Sequence, residues 1–492
     1  MPRTPTLSFD RGTLLLHPPP RGKAWMDYAT WDDRVERFRC PALCYRELVT
    51  VLQKEGIAFE DKAREFQPLE LIPSLEMQPY PHQSEALEAW TQAGRKGVVV
   101  LPTAAGKTYL AQLAMQAIPR STLIVVPTLD LMHQWYAHLL AAFPDMEVGV
   151  LGGGSRDRSP ILVATYDSAA IHAESLGNRY ALLIFDECHH LPSDFNRVTA
   201  EFSIAPYRLG LTATPDRADG RHLDLDTLIG PVVYRKTAEE LSGTALAHHE
   251  VTRIRVKLSP QERSRYTELM QLRNAFLQSH NIYLSNLQGW QRFVQQSARS
   301  QAGRRAMLAH REAREIALGT EGKIRVLADL LVTHHPERIL IFTNDNATVY
   351  RISREFLIPA ITHQTPVKER HETLVKFREG DYKTLVTSHV LNEGVDMPEA
   401  RIAILLSGTA SEREFIQRLG RVLRKGKDSE KLAILYEVVA EETSEESVSQ
   451  RRRGQGKKER SGQPSQPTLP LYEVAPSSDR RAAENAALWN EF

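Results

Sequence analysis

Residues 101–108 read LPTAAGKT, directly after the apolar Val98 to Val100. A lysine and a threonine that open a helix after a loop of small residues build a phosphate cradle, because loop N–H groups and the helix N-terminus face an anion together. There Thr103, Ala104, Ala105 and Gly106 would line the phosphates, Lys107 would reach the β- and γ-phosphates, and Thr108 would hold Mg²⁺. Leu101 stands where the usual pattern has glycine, so an ordinary strand-to-helix turn competes as a reading.

Roughly eighty residues on, Asp186-Glu187-Cys188-His189 follows the apolar run Leu182 to Phe185. A carboxylate at a strand end can hold Mg²⁺ through water and its neighbour can orient an attacking water, the roles read for Asp186 and Glu187. Thr212 and Thr214 follow the strand-like Arg208 to Leu211; their hydroxyls can couple a nucleotide site to a bound strand, or merely cap. In QRLGRVLR, residues 417–424, Arg421 and Arg424 lie one helical turn apart. Two guanidinium groups projecting together suit a γ-phosphate losing its bond.

Parallel sheets must position such groups. Val98 to Leu101, Leu123 to Val126, Ile161 to Ala164 and Leu182 to Phe185 are continuous apolar runs separated by helical patterns at Tyr109 to Ile118 and Leu129 to Ala142. Unbroken apolar runs of strand length predict strands buried on both faces. A second such block has strands at Ile339 to Phe342, Leu385 to Thr387, Ile402 to Leu406 and Leu432 to Tyr436, with helices at Ala347 to Phe356, Lys368 to Phe377 and Glu412 to Leu419. The fold class is therefore α/β, two parallel-sheet lobes in tandem with a cleft between them.

The 492 residues exceed one core, and 25% charged with 42% hydrophobic residues is ordinary globular composition. A net charge of +1 does not single out a nucleic-acid binder. Three cysteines exclude a disulfide framework; Cys40 and Cys44 have a metal-like spacing but no second ligand pair follows, so they read as small apolar residues. No leader pattern and no run of 18 apolar residues occurs, which predicts a cytoplasmic protein away from membranes.

The predicted domains are an N-terminal α+β module (1–70), a first lobe (71–235), a second lobe (236–440) interrupted by a helical segment (259–320), and a tail (441–492). The module reads as two short strands about the Arg11-Gly12 turn and a helix over Pro41 to Glu55. The interruption carries nine arginines, including Arg304 and Arg305, against four glutamates, with Tyr266, Phe276, Tyr283, Trp290 and Phe293 interleaved. That mixture suits a grip on a phosphate backbone; a solvated helical hairpin with core aromatics is the alternative. The tail is polar and reads as disordered, with one short helix at Arg480 to Phe492.

The ordered set LPTAAGKT, IVVPTLDLMHQW, DECH, TAT, ILIFTN, LNEGVDMP and QRLGRVLR resembles the two RecA-like lobes of a superfamily 2 helicase, most closely the XPB branch. The resemblance covers about residues 75 to 440. It implies DNA-dependent ATP hydrolysis with Mg²⁺, translocation and 3′ to 5′ unwinding in repair, and a nuclease as a partner. The DNA engaged is expected to be duplex, forked or single-stranded, and the protein a monomer. By the same resemblance Gln83 reads adenine; Gln417, Arg421 and Arg424 complete the catalytic site; and Pro127, Thr128, Gln134, Thr165, Thr387, Gly394 and Asp396 line the strand path or couple it to ATP. The N-terminal module resembles that branch's damage-recognition domain and the basic insertion its thumb.

Three departures stand out: Tyr80 and His82 replace Arg and Tyr before Gln83, Ala104 replaces a glycine, and Arg217-Ala218-Asp219 replaces an Arg-Glu-Asp triplet thought to part the duplex. The last predicts strand separation weaker than translocation. Competing functions are a restriction or remodelling translocase, an RNA helicase, and a nucleotide-gated clamp that does not hydrolyse; Glu187, Arg421 and Arg424 argue against the clamp.

Overall fold

The computed structural model describes residues 4–75, 77–217, 219–241, 248–284, 287–388, 400–407, 432–443 and 445. It resolves into two compact units, the first built mainly from residues up to Ala247 and the second mainly from His248 onward.

The first unit opens with β1 (Thr6–Asp10), β2 (Thr13–His17), β3 (Thr30–Asp32), β4 (Arg37–Pro41) and β5 (Glu60–Asp61), ordered β3-β4-β2-β1-β5, with α1 (Tyr45–Lys54). Arg11 and Gly12 both take positive φ, 46° and 85°, the turn whose twist suits a two-residue hairpin. Leu7, Leu14, Trp25, Cys40, Leu48 and Leu52 form the core of this module; Cys40 is fully buried and Cys44 partly so.

Next come α2 (Pro81–Gln92), β6 (Lys96–Val100), α3 (Lys107–Ala117), β7 (Thr122–Val126), α4 (Leu129–Ala142), β8 (Val148–Gly152), β9 (Ser155–Arg156), β10 (Ile161–Thr165), α5 (Tyr166–Ile171) and α6 (Ala173–Leu176). They are followed by β11 (Leu182–Asp186), α7 (Val198–Glu201), β12 (Tyr207–Thr212), α8 (Leu225–Leu228), β13 (Val232–Arg235) and α9 (Ala238–Leu241). Sheet order is β13-β6-β12-β11-β7-β10-β8-β9, parallel except for the β8–β9 hairpin. Every residue of β7, β10 and β11 is buried, as unbroken apolar runs between two helical layers require. β12 adds a surprise: the fully buried Arg208 guanidinium donates to the carbonyls of Ala205, Leu228 and Ser203 at 3.2, 2.6 and 2.7 Å.

The module is fastened to the strand ends opposite the phosphate loop. Arg46 Nη1 donates to Gly94 O (2.7 Å) and Pro206 O (3.1 Å), just ahead of β6 and β12. A Cβ at Gly12 would run into Phe202. The connector is pinned as well, by Glu65 N to Asn178 O (2.8 Å), Leu69 N to Pro119 O (3.0 Å) and Ser74 N to Ala142 O (2.8 Å).

The second unit has β14 (His248–Val256), α10 (Pro260–Ser279), α11 (Leu287–Arg299), α12 (Gln301–Gly319), α13 (Glu321–Thr333), β15 (Ile339–Phe342), α14 (Asn346–Phe356) and β16 (Ala360–Ile361). It continues with α15 (Val367–Glu379), β17 (Thr384–Thr387), β18 (Ile402–Leu405) and β19 (Leu432–Ala440). Its all-parallel sheet runs β14-β19-β18-β15-β17-β16. Helices α10 to α12 form the insertion, rooted by Glu262, whose carboxylate accepts from Ser259 N, Thr320 Oγ1 and Glu321 N. The expected helix at Glu412 to Leu419, the tail beyond residue 445 and its terminal helix lie outside the described residues. Among those described, no helix is long and apolar enough to cross a membrane.

Candidate nucleotide and nucleic-acid site

In the first unit the expected site residues gather at the C-terminal edge of one parallel sheet, where ligands of α/β folds bind. Thr103 to Thr108 follow β6, Pro127 and Thr128 follow β7, Thr165 ends β10, Asp186 ends β11 with Glu187 next, and Thr212 ends β12 with Thr214 two residues on.

The phosphate loop turns through two left-handed residues, Ala104 (φ 70°) and Gly106 (φ 77°). A Cβ at Gly106 would strike the Gln83 amide. Gln83 is buried; its Nε2 donates to Gly106 O (3.1 Å) and its Oε1 accepts from Tyr80 N (2.9 Å). His82 Nε2 meets Ala105 O at 2.9 Å, a brace that no spacing in the sequence announced. Tyr80 is exposed and stacks on His82, ring centroids 5.7 Å apart. Lys107 Nζ stands 3.4 Å from Leu101 O and 3.5 Å from Glu187 Oε1.

Asp186 is held on every side. Oδ2 accepts from Trp135 Nε1 (2.8 Å), Oδ1 from Glu187 N (3.0 Å), and its main-chain carbonyl from Tyr166 Oη (3.0 Å). Burial, reinforced by the Glu187 charge, pushes its carboxyl up to about 6. Glu187 takes a left-handed backbone (φ 47°), a conformation that persists where the surroundings over-determine it. His189 lies 3.5 Å from Glu187 Oε2, and its Nδ1 meets Thr212 Oγ1 at 3.1 Å. Thr212 Oγ1 in turn donates to Thr214 O at 3.0 Å. A path of side chains thus runs from the acid pair to the Thr-Ala-Thr turn.

These residues fit a nucleoside triphosphate and a divalent cation. Thr103 Oγ1 is buried with no hydrogen-bond partner among the described residues, and the adjacent acids share Lys107 as a nearby cation. Among the described residues no cluster of three or more His, Cys, Asp or Glu side chains could hold a metal unaided. A cation beside Asp186 and Thr108 would therefore draw further oxygens from phosphate and water.

Other expected residues are placed more modestly. Thr128 caps α4 by accepting from Leu131 N (3.2 Å), and Thr165 caps α5 by accepting from Ser168 N (3.3 Å). Gln134 is half-buried on α4. Arg217 is engaged with Asp219 through two hydrogen bonds (3.0 and 2.6 Å) and reaches His189 O at 2.6 Å. That pairing holds the Asp219 carboxyl well below the usual range.

In the second unit Thr387 is buried at the end of β17. The insertion's arginines divide: Arg265 pairs with Glu312 and Glu268, Arg311 with Glu315, and Arg263 with Glu442. Arg304 and Arg305 are exposed and have no carboxylate partner among the described residues. Tyr266, Phe276 and Phe293 are core, whereas Tyr283 and Trp290 are exposed. Gly394, Asp396, Gln417, Arg421, Arg424 and Ala218 lie outside the described residues.

Comparison with known proteins adds independent findings. Residues 7–63 match the xeroderma pigmentosum group B helicase damage recognition domain, residues 76–217 the type III restriction enzyme res subunit, and residues 322–426 the helicase conserved C-terminal domain. A Sulfurisphaera tokodaii protein named DNA 3'-5' translocase XPB2 is 42% identical over 86% of this chain and 95% of its own. A Kineococcus radiotolerans protein named DNA 3'-5' helicase XPB is 31% identical over 76% of this chain; that match covers 61% of the bacterial protein. The Hef helicase domain of Pyrococcus furiosus superposes with a TM-score of 0.55 at 19% identity, over 76% of this chain and 98% of that one, a likeness of fold.

Proposed function

The chain belongs to the XPB branch of the superfamily 2 helicases, and from that premise we propose an ATP-driven motor that moves 3′ to 5′ on DNA and serves in repair. One observation carries the chemistry: at the C-terminal edge of a parallel sheet the phosphate-loop Lys107 lies 3.5 Å from Glu187 of the strand-end acid pair.

Thr103 to Thr108 cradle the triphosphate, Lys107 offsets the charge of its outer phosphates, and Thr108 with Asp186 holds Mg²⁺. Held there, Mg²⁺ would supply positive charge against the charge of the phosphates. Glu187 orients the attacking water and takes its proton, so ATP and water become ADP and phosphate. We assign Gln417, Arg421 and Arg424 to the same reaction, and Gly394 and Asp396 to its coupling, on their motifs alone.

Thr212, whose hydroxyl is reached from Glu187 through His189 and donates to the main-chain carbonyl of Thr214, couples hydrolysis to the strand together with Thr214. Pro127, Thr128, Gln134, Thr165 and Thr387 are assigned to the strand path. Arg304 and Arg305 supply backbone charge from the insertion. Gln83 serves base recognition and, in this arrangement, braces the loop it flanks.

The test compares ATPase stimulation by single-stranded DNA, duplex, forked duplex and RNA. Preference for forked DNA with a weak RNA response is expected. Equal stimulation by RNA would make it an RNA motor, and tight nucleotide binding without turnover would make it a clamp.

A further inference from the structure

We propose that Trp135 is a positioning residue for the Asp186 carboxylate, and that α4 acts on the metal ligand through it. The proposal rests on the reading of Asp186 as the Mg²⁺ ligand.

The contact is close and dry. Trp135 is 1% exposed and Asp186 6%, and Nε1 to Oδ2 is 2.8 Å. An indole N–H is donor only and uncharged, so Trp135 can neither ligate a cation nor exchange a proton in the reaction. What it can do is fix an oxygen. Glu187 N fixes the other at 3.0 Å, and Tyr166 Oη holds the carbonyl of the same residue at 3.0 Å.

The choice of donor matters. A lysine or arginine at 135 would neutralise the carboxylate and lower its attraction for a cation. Neutral donors on both oxygens orient the group while leaving its charge, and each oxygen keeps a second lone-pair site. Oriented ligands of this kind set metal affinity, and loss of the orienting group commonly costs about 10- to 100-fold.

The same bond joins two functions. Helix α4 starts at the Thr128 cap and carries Gln134 one residue before Trp135, while Met132, Trp135 and Leu139 form its buried stripe. A strand that presses on the Thr128 to Gln134 segment therefore moves a helix that reaches Asp186 through the Trp135 N–H.

The experiment is a Mg²⁺ titration of fluorescent-ATP-analogue binding to the full chain, with and without single-stranded DNA, monitoring folding by thermal melting. Trp135→Phe keeps the ring and removes the N–H; Trp135→His keeps a ring N–H; Asp186→Asn is the reference. Trp135→Phe is expected to raise the Mg²⁺ needed for half-maximal effect about tenfold or more, to leave Mg²⁺-free binding unchanged, and to abolish the shift that DNA causes in the parent. Trp135→His should recover part of both effects. A parent-like titration for Trp135→Phe would overturn the proposal, as would equal impairment in the Phe and His variants, which would point to packing. A parent-like Mg²⁺ response in Asp186→Asn would remove the metal-ligand reading itself, and the proposal with it.

Discussion

Lys107 Nζ lies 3.5 Å from Glu187 Oε1, each side chain only 11% exposed, so the group meant for phosphate and the group meant for water share one buried space. Glu187→Gln keeps the shape and removes the base. DNA-stimulated ATPase should fall about 100- to 10,000-fold while equilibrium binding of an ATP analogue persists; unchanged turnover would refute the catalytic assignment.

Asp186 carries a cost that its removal should reveal. Its folded carboxyl titrates at about 6 against a reference of 3.8, so above pH 6 the folded protein holds a buried charge that the unfolded chain holds in water. Asp186→Asn removes that titration but sets an amide nitrogen against one of the two N–H donors on the carboxylate, a cost that does not vary with pH. The stability of metal-free variant minus parent should therefore rise by about 1 to 3 kcal/mol between pH 4 and pH 8, as the parent loses its proton. A difference that stays constant from pH 4 to pH 8 would contradict this.

Ala104 sits at φ 70°, where a Cβ crowds the neighbouring carbonyl. Ala104→Gly should stabilise the first unit by about 0.5 to 1 kcal/mol, the relieved strain outweighing the added chain entropy. Thermal melting checks the sign, and nucleotide affinity should not weaken.

Among the described residues Arg304 and Arg305 have no carboxylate partner, whereas Arg265 and Arg311 are paired. Neutralising both to Gln should weaken DNA binding and flatten the slope of log affinity against log salt by roughly 1.5 to 2 if each meets a phosphate. Arg311→Gln, whose charge already faces Glu315, should change that slope far less. Equal slopes in all three proteins would take the insertion off the DNA path.

Arg217 and Asp219 already hold each other through two hydrogen bonds. A carboxylate introduced between them by Ala218→Glu would compete for that guanidinium and restore the triplet of the branch. Unwinding of a forked duplex should rise relative to ATPase, and an unchanged ratio would count against a role for this turn in strand separation.

What could be read in advance follows from where each signal resides. The strands β7, β10 and β11 announce themselves because burial on both faces demands apolar runs. By contrast β14, HHEVTRIRV, interleaves charges with its apolar residues, and its nine-residue pairing with β19 is invisible until both partners are placed. The phosphate loop is local and legible. Trp135 is not, because 51 residues separate it from Asp186 and only the adjacency of β7 and β11 joins them. His82 looked like a defect in a motif until its bond to Ala105 O showed it bracing the loop. The insertion's arginines were indistinguishable by composition; the carboxylates facing them sort them.

The N-terminal module and the phosphate loop are attached to the same two strands from opposite ends. Arg46 grips the carbonyls of Gly94 and Pro206 ahead of β6 and β12, and Leu101 N bonds Thr212 O where those strands finish. The five residues of β6 span roughly 16 Å. The connector adds separate anchors at Glu65, Leu69 and Ser74. A bonded route from the module to the phosphate loop therefore runs along β6 and β12 themselves, independent of the connector.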